Sequence, residues 1–163
     1  MKQPLRFTVN GEERALFVDT RATLIEALRD GLGLAGTKEG CSNGNCGACT
    51  VSLDGKPVLA CLVLAVEAQG SQVATIEGLA RDGRLDPLQR AFIAEGGLQC
   101  GFCTPGLLML ARSFLDQHPR PTEREIRAAI SGNLCRCTGY DKIVRAIQRA
   151  ARSQPAAGAA AGS

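Results

Sequence analysis

Residues 36–51 read GTKEGCSNGNCGACTV, and this stretch decides what the first half of the chain can be. It places Cys41, Cys46 and Cys49 in the order Cys-x4-Cys-x2-Cys, and Cys61 follows further along the chain. Three closely spaced cysteines with a distant fourth are typical of plant-type [2Fe–2S] sites. We therefore interpret these four cysteines, the first quartet, as the ligands of one [2Fe–2S] cluster.

Glycines surround these cysteines, which favours a loop over a helix or a strand. We expect Gly40, Gly44 and Gly47 to let this loop wrap a cluster, because glycine adopts positive φ angles at little cost. Such a loop brings backbone N–H groups close to cluster sulfurs, where they stabilise negative charge and help to set the reduction potential. The three glycines are thus candidate cluster-binding residues.

The other four cysteines form a second quartet, made of a Cys-x2-Cys pair and a Cys-x-Cys pair. They are Cys100, Cys103, Cys135 and Cys137. Cys103 and Cys137 each lie immediately before a predicted helix start, where free N–H groups and the positive end of the helix dipole favour a negatively charged cluster. The same spacing also suits structural zinc, so this quartet by itself leaves a [2Fe–2S] cluster and a zinc site open.

Other roles for the cysteines fit the sequence less well. A disulfide framework is disfavoured because no signal peptide is visible and disulfides are rare in a reducing cytosol. Buried structural cysteines are disfavoured because the thiols gather in a glycine-rich loop and at helix turns. A thioredoxin-type pair is disfavoured because no strand of a parallel sheet leads into Cys100, and a Rieske centre is excluded because His118 is the only histidine.

The composition is that of an ordinary globular protein and argues against several partner classes. Of 163 residues, 45% are hydrophobic and 21% are charged, and the formal net charge is only +3. The aromatic content of 4%, without Trp, disfavours a surface that binds nucleic acid by stacking. The longest apolar stretch, residues 59–66, is too short to span a bilayer. We therefore expect no nucleic-acid partner, no membrane span and a cytoplasmic location.

The first half, residues 1–80, predicts a mixed α/β domain. Thr23 and Glu26 form a capping box that begins a helix. Two-residue hairpin turns are predicted at the Asn-Gly and Asp-Gly pairs of residues 10–11 and 54–55. Apolar patterns predict strands near residues 5–9, 16–18, 50–53, 56–59 and 73–76.

The second half, residues 81–153, has helical periodicity throughout and predicts a four-helix bundle. The four helices are expected over about residues 87–95, 104–117, 122–130 and 140–152, with N-terminal signals at Asp86-Pro87, Thr104-Pro105 and the Thr122/Glu125 capping box. Each helix pair has a cysteine pair at its turn, so the four thiols would converge at one end of the bundle. Residues 154–163 are mostly Ala, Gly, Ser and Pro and are predicted to be a disordered tail.

Three segments together resemble the iron–sulfur module of the molybdenum hydroxylase family, which includes xanthine oxidase, aldehyde oxidoreductase, carbon monoxide dehydrogenase and 4-hydroxybenzoyl-CoA reductase. They are residues 36–51, quoted above, 99–106 (QCGFCTPG) and 132–140 (GNLCRCTGY). Their order and approximate spacing agree with the family, and the resemblance covers about residues 5–150.

The resemblance implies a fold and an assignment of the two clusters. The fold is α+β, with an N-terminal β-grasp, plant-ferredoxin-like domain followed by an all-α four-helix-bundle [2Fe–2S] domain. The first quartet would hold the cluster far from molybdenum, called here the distal cluster, and the second quartet the proximal cluster. In the family, residues matching Gln99 and Cys137 lie near the pterin, so these two residues are candidate contacts to the partner's molybdopterin.

The resemblance also implies a function. The chain would be the electron-transfer small subunit of a molybdenum-dependent oxidoreductase, a hydroxylase or dehydrogenase. Its partners would be a large subunit with molybdopterin and either a medium subunit with FAD or a cytochrome acceptor, in a hetero-oligomer such as (αβγ)2. Two alternatives are a free dicluster ferredoxin and a zinc-bound interaction module.

Overall fold

An antiparallel hairpin begins the chain in the computed structural model, which describes residues 1–153. Its strands are β1 (Lys2–Val9) and β2 (Glu12–Asp19). Asn10 and Gly11 both have positive φ angles, 53° and 85°, as two-residue hairpin turns require. The predicted hairpin is therefore confirmed, and the alternate apolar residues of β1 face the core.

Three further strands complete a mixed sheet in the described part of the chain. They are β3 (Thr50–Leu53), β4 (Lys56–Leu59) and β5 (Gln72–Ala74), and the five strands lie in the order β2-β1-β5-β3-β4. The β1/β5 pair is parallel and the other pairs are antiparallel. The last strand ends earlier than predicted because a 3₁₀ turn, Ile76–Gly78, begins where the strand was expected to continue.

A short helical segment covers one face of this sheet. Helix α1 (Leu24–Glu26) begins at the predicted Thr23/Glu26 capping box and continues as a π-helical turn, Ala27–Gly31. A second 3₁₀ turn spans Ala65–Ala68. Leu24, Ile25 and Leu28 of the helical segment are fully buried in the core that also contains the apolar residues of β1. Burial of this kind is what holds such a short helix in place.

Four helices form a second hydrophobic core. They are α2 (Pro87–Glu95), α3 (Thr104–Gln117), α4 (Glu123–Ala129) and α5 (Asp141–Ser153), with a 3₁₀ turn, Ile130–Gly132, after α4. The Asp86 cap of α2 and the Thr122/Glu125 box of α4 are confirmed. The mixed sheet and the following helices confirm the predicted α+β class.

Two helix starts differ from the prediction. Cys103, rather than Thr104, is the N-cap of α3, because the Cys103 carbonyl already accepts a bond from the Leu107 N–H at 3.1 Å. Helix α5 begins only at Asp141, so Cys137 does not lie immediately before it. A turn with positive φ at Tyr140 intervenes. The predicted tail, residues 154–163, lies outside the described residues.

The two halves pack directly on one another. Helix α3 contacts β3 and β4, and Met109 and Ser113 of this helix are buried. Gly106, in the first turn of α3, lies so close to the first-quartet loop that an added Cβ would be 2.6 Å from the Gly47 carbonyl oxygen. This packing brings the two cysteine-bearing regions side by side.

Candidate metal centres

The first quartet gathers at one end of the sheet. Cys41, Cys46 and Cys49 lie on the loop that precedes β3, and Cys61 follows β4. Because β3 and β4 pair antiparallel, the end of β4 returns next to the start of β3, and the Ala60 N–H donates to the Cys49 carbonyl at 3.3 Å. The Cys49 and Cys61 thiols consequently contact each other, and both are buried.

The other two thiols of this quartet also form a pair. The Cys46 N–H donates to the Cys41 sulfur at 3.4 Å, and the two side chains interact. The Asn43 and Cys46 N–H groups lower the pKa of the Cys41 thiol to about 7. Burial raises the pKa of the Cys46 thiol, although the N–H groups of Ala48 and Gly40 act to lower it. Burial also raises the pKa of Cys49 to about 11.

The three glycines of this loop serve two different purposes. Gly44 and Gly47 have positive φ angles, 82° and 73°, as expected for a loop that wraps a cluster. Gly40 does not, so the expectation of a positive φ is wrong there. Its role is to leave space, because a Cβ at Gly40 would lie 3.1 Å from the Cys46 sulfur and 3.2 Å from the Phe102 ring.

The second quartet gathers at the start of α3, as the bundle prediction anticipated. Cys100 and Cys103 precede this helix, and Cys135 and Cys137 lie on the loop before α5. The Cys100 and Cys137 sulfurs are 3.5 Å apart and exposed, whereas Cys103 interacts with Cys135 further inside. Gln99, the other candidate pterin contact, is exposed beside Cys100.

Local donors distinguish the thiols of the second quartet. Burial raises the pKa of Cys103 to about 12. Burial acts in the same direction on Cys135, but the Thr138 hydroxyl, 3.1 Å from its sulfur, and nearby N–H groups outweigh it and lower the pKa. The Phe102 N–H lowers the pKa of Cys100. The adjacent Cys100 thiol raises that of Cys137.

Tyr140 holds the second-quartet loop in shape, a role that helical periodicity did not reveal. Its hydroxyl accepts from the Cys135 N–H at 2.7 Å and donates to the Asn133 carbonyl at 3.1 Å. Tyr140 has a positive φ angle of 68°, and its hydroxyl reaches back to this loop. The hydroxyl thus links two backbone groups of the segment that carries Cys135 and Cys137, which stabilises its conformation.

We expect Tyr140→Phe to loosen this loop. The change leaves two backbone groups without a partner, which costs about 1–3 kcal/mol. Thermal melts followed by EPR should show the proximal cluster lost at lower temperature, with the distal cluster as the internal control. Equal loss of both signals would contradict a role confined to the second-quartet loop.

The eight thiols therefore occur as four contacting pairs, two in each quartet. None of the eight forms a disulfide. Within residues 1–153, no group of three His, Cys, Asp or Glu side chains is arranged to hold a single metal ion. A [2Fe–2S] cluster takes four cysteines, two on each iron. Two contacting pairs in each quartet fit that demand. When bound, such a cluster accepts and releases one electron.

A hydrogen-bonded seam joins the two centres, and sequence reasoning missed it. We use "seam" for the contact between residues 46–48 and residues 132–134. The Leu134 N–H donates to the Cys46 carbonyl at 2.8 Å, and the Asn133 side-chain amide donates to the Gly47 carbonyl at 3.0 Å. Asn133 was quoted only as part of a motif, and no periodicity marks a long-range contact of this kind.

Comparisons with known proteins agree with this arrangement. A family model described as "2Fe-2S iron-sulfur cluster binding domain" matches residues 7–74, and one described as "[2Fe-2S] binding domain" matches residues 75–148. The nicotinate dehydrogenase small FeS subunit of Eubacterium barkeri is 47% identical over 149 residues, covering 91% of this chain and 95% of that protein. The chain belongs to the small iron–sulfur subunits of molybdenum hydroxylases.

Solved structures contain similar regions both as a chain of about the same length and as part of a longer chain. The crystal structure of quinoline 2-oxidoreductase from Pseudomonas putida 86 has a chain that matches with a TM-score of 0.91 and 46% identity, covering 93% of this chain and 94% of that one. The aldehyde oxidoreductase from Desulfovibrio gigas matches with a TM-score of 0.87 and 45% identity, over 91% of this chain but only 17% of that one. The small iron–sulfur subunit therefore corresponds to one part of a much longer chain.

Proposed function

We propose that the first quartet (Cys41, Cys46, Cys49 and Cys61) holds the distal [2Fe–2S] cluster and that the second quartet (Cys100, Cys103, Cys135 and Cys137) holds the proximal one. The chain then passes single electrons between a molybdopterin site in a large subunit and an acceptor on the other side. In this role it belongs to an oxidoreductase but binds no substrate itself.

The observation that carries this proposal is the pairing of the thiols. Each quartet presents two contacting pairs, Cys41/Cys46 with Cys49/Cys61, and Cys100/Cys137 with Cys103/Cys135. A binuclear cluster needs two thiolates on each of two irons, whereas structural zinc needs four ligands around one centre. The arrangement therefore favours [2Fe–2S] over zinc for the second quartet, which its spacing alone left open.

Exposed apolar side chains support docking on the proximal side. Leu98, Phe102 and Leu134 each lie within two residues of a second-quartet cysteine in the sequence, and each is exposed. Exposed large apolar side chains beside a redox centre favour a partner surface over free solution. We propose that the large subunit covers them and that Gln99 and Cys137 approach its molybdopterin.

Leu62 supports a second docking surface on the distal side. It follows Cys61, is 60% exposed and lies against Gly44, where an added Cβ would be 2.5 Å from its Cδ1 atom. We propose that a medium subunit with FAD, or a cytochrome acceptor, binds here, in a hetero-oligomer such as (αβγ)2. The domains are proposed to span residues 1–80 and 81–153.

We also propose a cytoplasmic location. Eight thiols without a disulfide suit a reducing compartment. Among residues 1–153, no helix is both long enough and apolar enough to cross a bilayer.

Iron and acid-labile sulfide assays on the anaerobically purified protein test the proposal. We expect about four iron and four sulfide per chain and two distinct reduced [2Fe–2S] EPR signals. Zinc without sulfide, in protein from cells able to assemble clusters, would support the zinc-bound interaction module instead. Affinity purification from the native host should also recover a molybdenum-containing large subunit. A stable monomer with both clusters and no partner would support a free dicluster ferredoxin.

A further inference from the structure

The peptide unit between Gly47 and Ala48 lies between distal-cluster ligands and has an unusual number of donors on its carbonyl. The Gly47 oxygen accepts from the Thr50 N–H at 3.1 Å and from the Thr50 hydroxyl at 2.7 Å. A third donor, the Asn133 side-chain amide at 3.0 Å, comes from the segment that carries the proximal-cluster ligands. Two separate parts of the chain thus converge on one carbonyl of the distal loop.

The other side of this peptide unit faces a ligand sulfur. In a planar trans peptide the N–H and the C=O point in opposite directions. The N–H of this unit belongs to Ala48, and it lies close enough to the Cys46 sulfur to oppose the rise that burial causes in the pKa of that thiol. Donors on the carbonyl polarise the unit and strengthen the hydrogen bond made by its N–H. The amide of Asn133 therefore acts on the Cys46 sulfur through a single peptide unit.

Asn133 is held firmly for this role. Its side chain is buried, with 4% of its surface exposed. The Leu134 N–H donates to the Cys46 carbonyl, and this backbone bond fixes the segment independently of the Asn133 side chain. An added Cβ at Gly47 would lie only 2.4 Å from the Asn133 amide oxygen, so the side chain closes directly on the loop. The contact is tight and shielded from water.

We propose that Asn133, in the proximal-cluster segment, is a positioning residue that raises the reduction potential of the distal cluster through the Gly47–Ala48 peptide. The inference rests on the proposed function, because it requires a cluster on the first quartet. A stronger N–H donor at a ligand sulfur stabilises the reduced, more negative cluster. The relative potentials of the two clusters are then set in part across the seam.

Redox titration of the full-length, cluster-loaded protein, followed by EPR at both signals, tests the proposal. Asn133→Ala should lower the midpoint potential of the distal cluster and leave that of the proximal cluster unchanged. Thr50→Val removes a second donor from the same carbonyl and keeps the side-chain shape, so it should shift the distal potential in the same direction. Ser131→Ala is the matched control, because it removes an exposed polar side chain beside the seam whose hydroxyl donates to the Ala128 carbonyl and not to the distal loop. We expect no shift at either cluster.

An unchanged distal potential in Asn133→Ala, or equal shifts of both clusters, overturns the proposal. If Asn133→Ala does not fold, Thr50→Val tests the proposal instead. It removes the Thr50 hydroxyl donor from the Gly47 carbonyl, so an unchanged distal potential in this variant also overturns the proposal. Failure of the proposed cluster assignment has a different signature, because the unmodified protein would then lack the distal [2Fe–2S] signal. Failure of the proposed partnership would leave both signals and the Asn133→Ala shift in place, with no large subunit recovered.

Discussion

Replacing Cys46 with Ala is expected to remove the distal cluster and leave the proximal one, so that the protein retains about half of its iron. The Cys46 side chain interacts with Cys41, and in the proposed site its loss would leave the distal cluster with only three of its four cysteine ligands. The second quartet contributes no thiol to this pair. Iron analysis and EPR on anaerobically purified protein measure the outcome, with one [2Fe–2S] signal lost and the other retained.

The matched variant is Cys103→Ala in the second quartet. It should give the reciprocal result, with the proximal signal lost and the distal signal kept. Because the exposed Phe102 and Leu134 of the proposed docking surface adjoin second-quartet cysteines, loss of this cluster should in addition weaken docking to the large subunit, measured by co-purification. If either variant abolished both signals, the two quartets could not be independent cluster sites.

Replacing Gly47 with Ala is expected to have the largest effect of any single-methyl addition in the distal loop. Gly47 has a φ of 73°, and a left-handed conformation costs a residue with a Cβ about 1–2 kcal/mol. The new Cβ would also lie 2.4 Å from the Asn133 amide oxygen and 2.5 Å from the Gly132 carbonyl oxygen. The structure must open the seam to relieve that contact, which destabilises the fold by about 1–3 kcal/mol more.

Gly55→Ala is the matched control for this experiment. Gly55 has a φ of 80°, but no atom lies within 4 Å of its added Cβ. Both variants therefore carry the conformational cost, and only Gly47→Ala carries the steric one. Thermal melts followed by visible absorbance should show a clearly larger fall in Tm, with early bleaching of the distal cluster, for Gly47→Ala. Equal melting of the two variants would mean that the seam does not restrain the loop.

The local elements of the fold were largely predictable from the sequence. The Asn10-Gly11 turn and the Thr23/Glu26 capping box depend on the chemistry of residues a few positions apart, so a short window is enough to identify them. The same holds for the Asp86 cap of α2. The predicted N-cap of α3 was wrong because a neighbouring backbone group takes that position. Thr104 has a hydroxyl suited to an N-cap, but the Cys103 carbonyl already accepts the first helical bond.

The class of the first domain was also predictable from the sequence, since the spacing of the first-quartet cysteines is characteristic of a [2Fe–2S] loop and the family match over residues 7–74 agrees with it. The spacing of the second quartet was not decisive, because Cys-x2-Cys and Cys-x-Cys pairs suit zinc as well. Folding supplied what spacing lacked, namely the pairing of Cys100 with Cys137 and of Cys103 with Cys135 across two separate helix ends.

By itself, the sequence determined which residues are the candidate cluster ligands and which short segments become strands, turns and helices, because these properties depend on neighbours along the chain. Only the tertiary structure decided how the two centres meet. Asn133 lies 86 positions from Gly47, and no local pattern could indicate that its amide donates to that carbonyl. The seam lies beside the contact of α3 with the distal loop, where Gly106 approaches the Gly47 carbonyl, and packing between distant elements is a property of the whole fold.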